Sequence, residues 1–127
     1  MNENVINYAI KMCQNSYAPF SNYCVGAAVE TISNDIIGGC NVELSSYSLT
    51  CCAERVALFH AIAKGHSNFI SMAVVTENGV MPCGACRQVI WELCGEMPIY
   101  ICNLKGHLKT ISSLDLLPNP FDKTKLK

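Results

Sequence analysis

Between residues 3 and 14 the apolar positions are Val5, Ile6, Ala9, Ile10 and Cys13, the spacing of one helix face. The stretch NSYAPFSN, residues 15–22, is punctuated by Pro19 among Asn and Ser and reads as a loop. YCVGAAVETI (23–32) and IIGGCNVE (36–43) read as strands joined by the turn SNDI, which predicts a hairpin. From about Cys51 to Lys64 the pattern predicts a helix stopped by Gly65. Its apolar residues surround the axis, so it is expected to be covered on several sides. FISMAVVTE (69–77) is a buried strand, and PCGACRQVIWELCG (82–95) a second long helix opened at Pro82 and closed at Gly95. MPIYICN (97–103) and HLKTIS (107–112) are the fourth and fifth strands. SLDLLPNPF (113–121) begins a helical turn capped by Ser112 or Ser113 and breaks at Pro118. Alternation of strand and helix between residues 36 and 104 gives an α/β class, a central sheet with helices against it.

At 127 residues without repeats, low-complexity tracts or linkers, one domain spanning 1–127 is expected. Half the residues are hydrophobic and only 15% are charged. So little charge on a small domain implies surface buried against further copies of the chain. The net charge of −1, with no Lys/Arg cluster apart from the terminal DKTKLK, argues against a nucleic-acid partner, which needs a basic face. The N-terminus lacks the pattern of a secretory signal, and no apolar stretch is long enough for a bilayer. A cytoplasmic address without membrane association is expected. Nine cysteines at uneven spacing in such a chain point to metal binding or buried thiols rather than a disulfide framework.

Two pieces carry chemistry. Cys83 and Cys86 in PCGAC form a C-x-x-C pair at the start of a predicted helix. That spacing turns both sulfurs toward one ion beyond the helix end, where free N–H groups favour thiolate. Alone, the pair is equally a redox couple, half of a structural zinc site, or coincidence. CCAE at 51–54 adds a second cysteine-bearing helix start, with Thr50 before it and Glu54 close behind. Two helix N-termini meeting at one point would gather three thiolates. Three protein ligands leave a fourth position for water, and Glu54 would be the acid/base beside it. Cys51 and Glu54, three apart, share a helix face, whereas Cys52 converges with the pair only if the metal lies off the helix end. Spacing leaves that choice open.

CAER with PCGACRQV resembles the zinc-dependent cytidine deaminases, specifically their small single-domain type. SYAPFSNYCVGAAV is similar to the family's entry loop and first strand, GCNVE to its ribose-binding strand end, and LLPNPF to its C-terminal turn. The resemblance implies a three-layer α/β/α fold around a mixed five-stranded sheet. It also implies one Zn²⁺ per subunit held by Cys52, Cys83 and Cys86, with Glu54 as proton shuttle and Cys51 a bystander. Arg55 would hydrogen-bond the ligand sulfurs and offset their charge. Asn41 and Glu43 would take a ribose hydroxyl, with Tyr23 as the stacking aromatic, Phe20 close by and Ala53 also at the substrate. Tyr47 and Phe121 match positions that reach into a neighbouring subunit's site, which implies a homotetramer. The activity implied is hydrolytic deamination of cytidine and 2′-deoxycytidine in pyrimidine nucleoside salvage.

Cys24 in place of a common proline, Leu44 in place of a polar residue and Phe20 in place of a frequent tyrosine depart from the pattern. Three other readings compete. One is a deaminase of an aminonucleoside antibiotic or of nucleic-acid cytosine, another a structural zinc module with Cys51 as fourth ligand, and the third a thioredoxin-like redox role for Cys83 and Cys86. Cys13, Cys24, Cys40, Cys94 and Cys102 read as buried thiols, and His60, His66 and His107 as solvated. Trp91 is assigned to helix or interface packing, and Arg87 to the second helix start or the surface.

Overall fold

The computed structural model describes residues 1–126; Lys127, the last residue of the expected domain, lies outside the described residues. A five-stranded sheet carries β1 (Val25–Thr31), β2 (Ile36–Cys40), β3 (Phe69–Thr76), β4 (Pro98–Asn103) and β5 (Gly106–Ser112). Its order is β2-β1-β3-β4-β5. All neighbours are antiparallel except β3 and β4, so the sheet is mixed. The parallel pair is the one joined through a helix, α3 (Gly84–Cys94), because a parallel connection must cross over. The remaining helices are α1 (Glu3–Met12), α2 (Ala53–Ala63) and the single turn α4 (Ser113–Leu116).

Side chains alternate across the sheet with a period of two. Ala28, Ala73, Val75, Tyr100 and Cys102 pack on Val5, Ile6 and Ala9 of α1. Val29, Met72, Val74, Ile99 and Ile101 pack with Leu58 and Ala61 of α2, Ile90 of α3 and Leu116 of α4. This gives three layers, α/β/α. Asn2 caps α1 by accepting from the Asn4 N–H, the standard device for an orphan N-terminal donor.

Several boundaries move inward from the sequence reading, and each move shapes the site. β2 ends at Cys40; Val42 instead bridges Tyr17 and Cys51. Cys51 exchanges both backbone hydrogen bonds with Val42, each at 3.0 Å, so it is extended and α2 starts at Ala53, not at Cys51. Likewise α3 starts at Gly84 rather than Pro82. β2 lies so close to α2 that a Cβ on Gly39 would stand 2.4 Å from the Ala57 nitrogen and 2.8 Å from the Ala53 carbonyl oxygen. Only glycine permits this approach, which sets the first turn of α2 against the sheet edge.

α2 is covered on two sides within the chain, and its third side is open in the single chain. Ala53, Glu54, Ala57, Leu58 and Ala61 are buried, but Phe59 and Ile62 are 49% and 42% exposed. β1, β2 and α3 occupy two sides, and no described segment covers the third. Cys24 is exposed rather than buried because it lies before β1 begins, and Cys40 and Cys94, the last residues of β2 and α3, are partly exposed. No helix among the described residues is long and apolar enough to cross a membrane.

Candidate active site

The N-termini of α2 and α3 converge. Cys52 is the N-cap residue of α2 and Cys83 that of α3, and neither side chain caps its own helix. Both sulfurs are therefore free to face a common point. Cys83 Sγ lies 4.0 Å from Cys52 Sγ and 3.4 Å from Cys86 Sγ, and all three atoms fall within 4.8 Å of one another. Tetrahedral zinc–thiolate bonds of about 2.3 Å require sulfurs about 3.8 Å apart, so the spacing fits zinc. Cys51 is outside the triad, because its bridge to Val42 holds its backbone in the preceding extended segment.

The electrostatics favour thiolate at Cys52. The starts of two helices, where N–H groups have no partner within the helix, lie at this point, and the Arg55 Nη2 donates to Cys52 Sγ at 3.5 Å. The Cys52 thiol is lowered to about 5, first by the hydrogen bond from Cys86 and then, against burial, by Arg55. Cys86 is pushed up by the same bond to Cys52 and by burial. Buried Arg55 Nε has no hydrogen-bond partner among the described residues.

Glu54, second residue of α2, is 4% exposed. Burial pushes its carboxyl up to about 7, so it can both accept and donate a proton near neutrality. It lines a cleft of about 450 Å³ together with Cys52, Cys83, Tyr23, Asn41 and Glu43, a size that suits a small molecule. Apolar walls come from Val25, Val74, Val80, Met81 and Pro82.

The polar edge is rigidly organised. Asn41 Oδ1 accepts from the Val25 N–H at 3.0 Å and from Ser16 Oγ, while its Nδ2 donates to the Tyr23 carbonyl at 2.8 Å. Glu43 accepts from the Phe20 and Ser21 N–H groups, both at 3.0 Å, and from Ser21 Oγ. The Ser21 contacts, side chain first, hold its carboxyl below the ordinary carboxylate range. Phe20 and Tyr47 meet edge to face, with centroids 5.7 Å apart, on a side pocket that shares Glu43 and Thr50 with the main cleft.

Two candidates stand apart. The Ala53 side chain is buried against Ala27 and Ala57, so only its backbone is available to the cleft. Phe121 is 54% exposed and is tied to α3, its carbonyl accepting from Gln88 Nε2 at 2.7 Å. Next to it, Trp91 Nε1 donates to Asp122 at 2.8 Å.

Some participants went unnoticed in the sequence. Ser21 organises Glu43, and its hydroxyl beside Phe20 in the entry loop was the available signal. Thr76, Val80 and Met81 line the cleft and carry no motif, whereas Thr50 and Pro82 stand beside the two cysteine pieces without spacing alone assigning them to the cleft. Arg87, assigned to the helix start or surface, binds the Pro82 carbonyl at 2.8 Å and the Leu116 carbonyl at 2.9 Å, which ties the segment before Cys83 to α4.

Comparison with known proteins agrees with this architecture. A cytidine deaminase of Sporosarcina psychrophila is 46% identical over 127 residues, covering 98% of this chain and 93% of the relative. One from Halalkalibacterium halodurans is 43% identical over 120 residues, covering 92% and 91%. The crystal structure of cytidine deaminase from Burkholderia pseudomallei superposes with a TM-score of 0.90 at 42% identity, covering 95% of this chain and 99% of that one. The family model of the cytidine and deoxycytidylate deaminase zinc-binding region matches residues 1–102. With two helix ends presenting three zinc-spaced sulfurs beside a buried glutamate, the chain belongs to the cytidine and deoxycytidylate deaminase zinc-binding family.

Proposed function

We propose that this chain hydrolyses cytidine and 2′-deoxycytidine to uridine and 2′-deoxyuridine with release of ammonia, as a cytoplasmic enzyme of pyrimidine nucleoside salvage. The observation that carries the reading is the Cys52, Cys83 and Cys86 sulfur triad, two of whose members share one cleft with Glu54. The triad holds Zn²⁺, which when bound supplies Lewis acidity that makes water a nucleophile at neutral pH.

Glu54 takes the proton released by the attacking water and delivers it to the ring nitrogen of the base. It then takes the second proton from the added oxygen and gives it to the departing amino group. The water oxygen remains as the carbonyl oxygen of the product, and ammonia leaves. One carboxyl can serve both transfers because it lines the cleft beside the sulfurs, where burial raises its pKa above the ordinary carboxylate value. Tyr23 supplies a wall for the base, and Asn41 with Glu43 meets the sugar hydroxyls. Glu43 stays ionised and repels phosphate, which favours a free nucleoside over a nucleotide.

We further propose a homotetramer with active sites shared between subunits. Exposure of Phe20, Tyr47, Leu49, Phe59, Ile62 and Phe121 supports burial against other copies, with Tyr47 and Phe121 reaching a neighbour's cleft.

Glu54→Gln is the test. The deaminase reading expects full zinc and loss of cytidine turnover by at least a hundredfold, in line with removal of a general acid/base. A structural zinc module would keep its metal and show no turnover in either protein.

A further inference from the structure

Tyr23 is fixed at three points. Its N–H donates to Ser21 Oγ at 3.1 Å, its carbonyl accepts from Asn41 Nδ2 at 2.8 Å, and its phenol donates to Asn78 Oδ1 at 2.5 Å. The first two anchors lie on the sugar side of the cleft with Asn41 and Glu43. The third lies 55 residues away in the chain, on the segment 77–83 between β3 and α3. Val80, Met81, Pro82 and Cys83 of that segment also line the cleft.

The segment is held to its own wall as well. The Val80 N–H donates to Thr76 Oγ1 at 3.0 Å. Gly79 has φ +70°, and a Cβ there would stand 2.3 Å from Leu108 Cδ1, so the turn is pressed against β5. Asn78 therefore presents its amide from a braced turn rather than a free loop.

We propose that Asn78 is a positioning residue: with the Tyr23 phenol it forms a latch across the cleft, joining the sugar-binding wall to the wall that leads into Cys83 and holding the Tyr23 ring ready for the base. This rests on the deaminase reading. A phenylalanine at 23 would offer the same ring without the tie, so the hydroxyl, not the aromatic face, makes the connection.

The latch sets how well the cleft is organised before substrate arrives, so it acts on binding. Glu54 and the three sulfurs are held by the starts of α2 and α3, and the chemical step is expected to be spared. A net hydrogen bond of ordinary strength corresponds to about a two- to tenfold change in affinity.

The test is a double-mutant cycle on the zinc-loaded enzyme. Tyr23→Phe and Asn78→Ala should each raise KM for cytidine and the inhibition constant of uridine by about two- to tenfold, with kcat within about twofold. The double variant should do no more than either single one, and Asn78→Asp, which keeps an acceptor for the phenol, should restore wild-type values. Amide exchange across residues 77–82, followed by mass spectrometry, should quicken in both single variants with melting temperature unchanged. Multiplying effects, an unrestored Asn78→Asp, or unchanged exchange in Tyr23→Phe would overturn the latch. A wild-type enzyme without cytidine turnover would instead overturn the deaminase reading, while the exchange measurement still decides the latch.

Discussion

Replacing Arg55 by Gln tests how a site with three anionic ligands can work at all. Three thiolates and Zn²⁺ sum to −1, a poor electrophile. Arg55 offers the nearest compensating charge, with Nη2 at 3.5 Å from Cys52 Sγ. At an effective dielectric of about 20, two unit charges that far apart interact by about 5 kcal/mol. Arg55 is partly exposed, so solvent screening reduces this. A charge-assisted hydrogen bond of about 1.5–3 kcal/mol is the better scale. Lost from the barrier, that amounts to roughly a ten- to hundredfold fall in kcat. The fold should be untouched, because Arg55 Nε has no partner to lose and its helix is held by Ala57, Leu58 and Ala61. The assay is steady-state cytidine deamination together with zinc content and thermal melting. Near-normal turnover with full zinc would refute the charge argument. A fall in activity that only tracks lost zinc would move the role of Arg55 from reactivity to metal retention.

Glu43 makes a pH prediction. Its carboxyl lies below the ordinary range because Ser21 and Phe20 donate to the ionised form. A lowered carboxylate keeps its contribution above the ordinary pKa and loses it as pH falls through the folded value. KM for cytidine should therefore stay flat from pH 8 to about 5 as far as Glu43 is concerned and rise only below the ordinary glutamate range, whereas Glu43→Gln should show a raised KM throughout. Gly39→Ala should force β2 away from the first turn of α2, at a cost of about 1–3 kcal/mol; a melting temperature equal to wild type would contradict the close approach seen there. Loading with zinc should raise the melting temperature of metal-free protein, since it binds only the folded sulfur triad, and a chelator should reverse the gain.

Much of this architecture was readable in the residues. The helical spacing of Val5, Ile6, Ala9 and Cys13 and the alternation of strand and helix between 36 and 104 correspond to α1 and the β3–α3–β4 crossover. Strand order was not readable, because β1 inserts between β2 and β3 through pairings that only the folded chain makes. Phe59 and Ile62 stay exposed in the single chain, since apolar periodicity does not say whether the covering surface lies within the same chain. The choice between Cys51 and Cys52 depends on a backbone bridge from Val42 to Cys51. That bridge across nine residues holds Cys51 extended and leaves Cys52 as the cap. Nor does local sequence link Tyr23 to Asn78, which meet only across the cleft.

X-ray absorption at the zinc edge addresses the central claim, three sulfurs with one open position. The expected spectrum has three sulfur neighbours at about 2.3 Å and one oxygen or nitrogen near about 2.0–2.2 Å, unchanged in Cys51→Ala. Four sulfur neighbours in the wild type, falling to three in Cys51→Ala, would mean a closed structural centre and contradict the account.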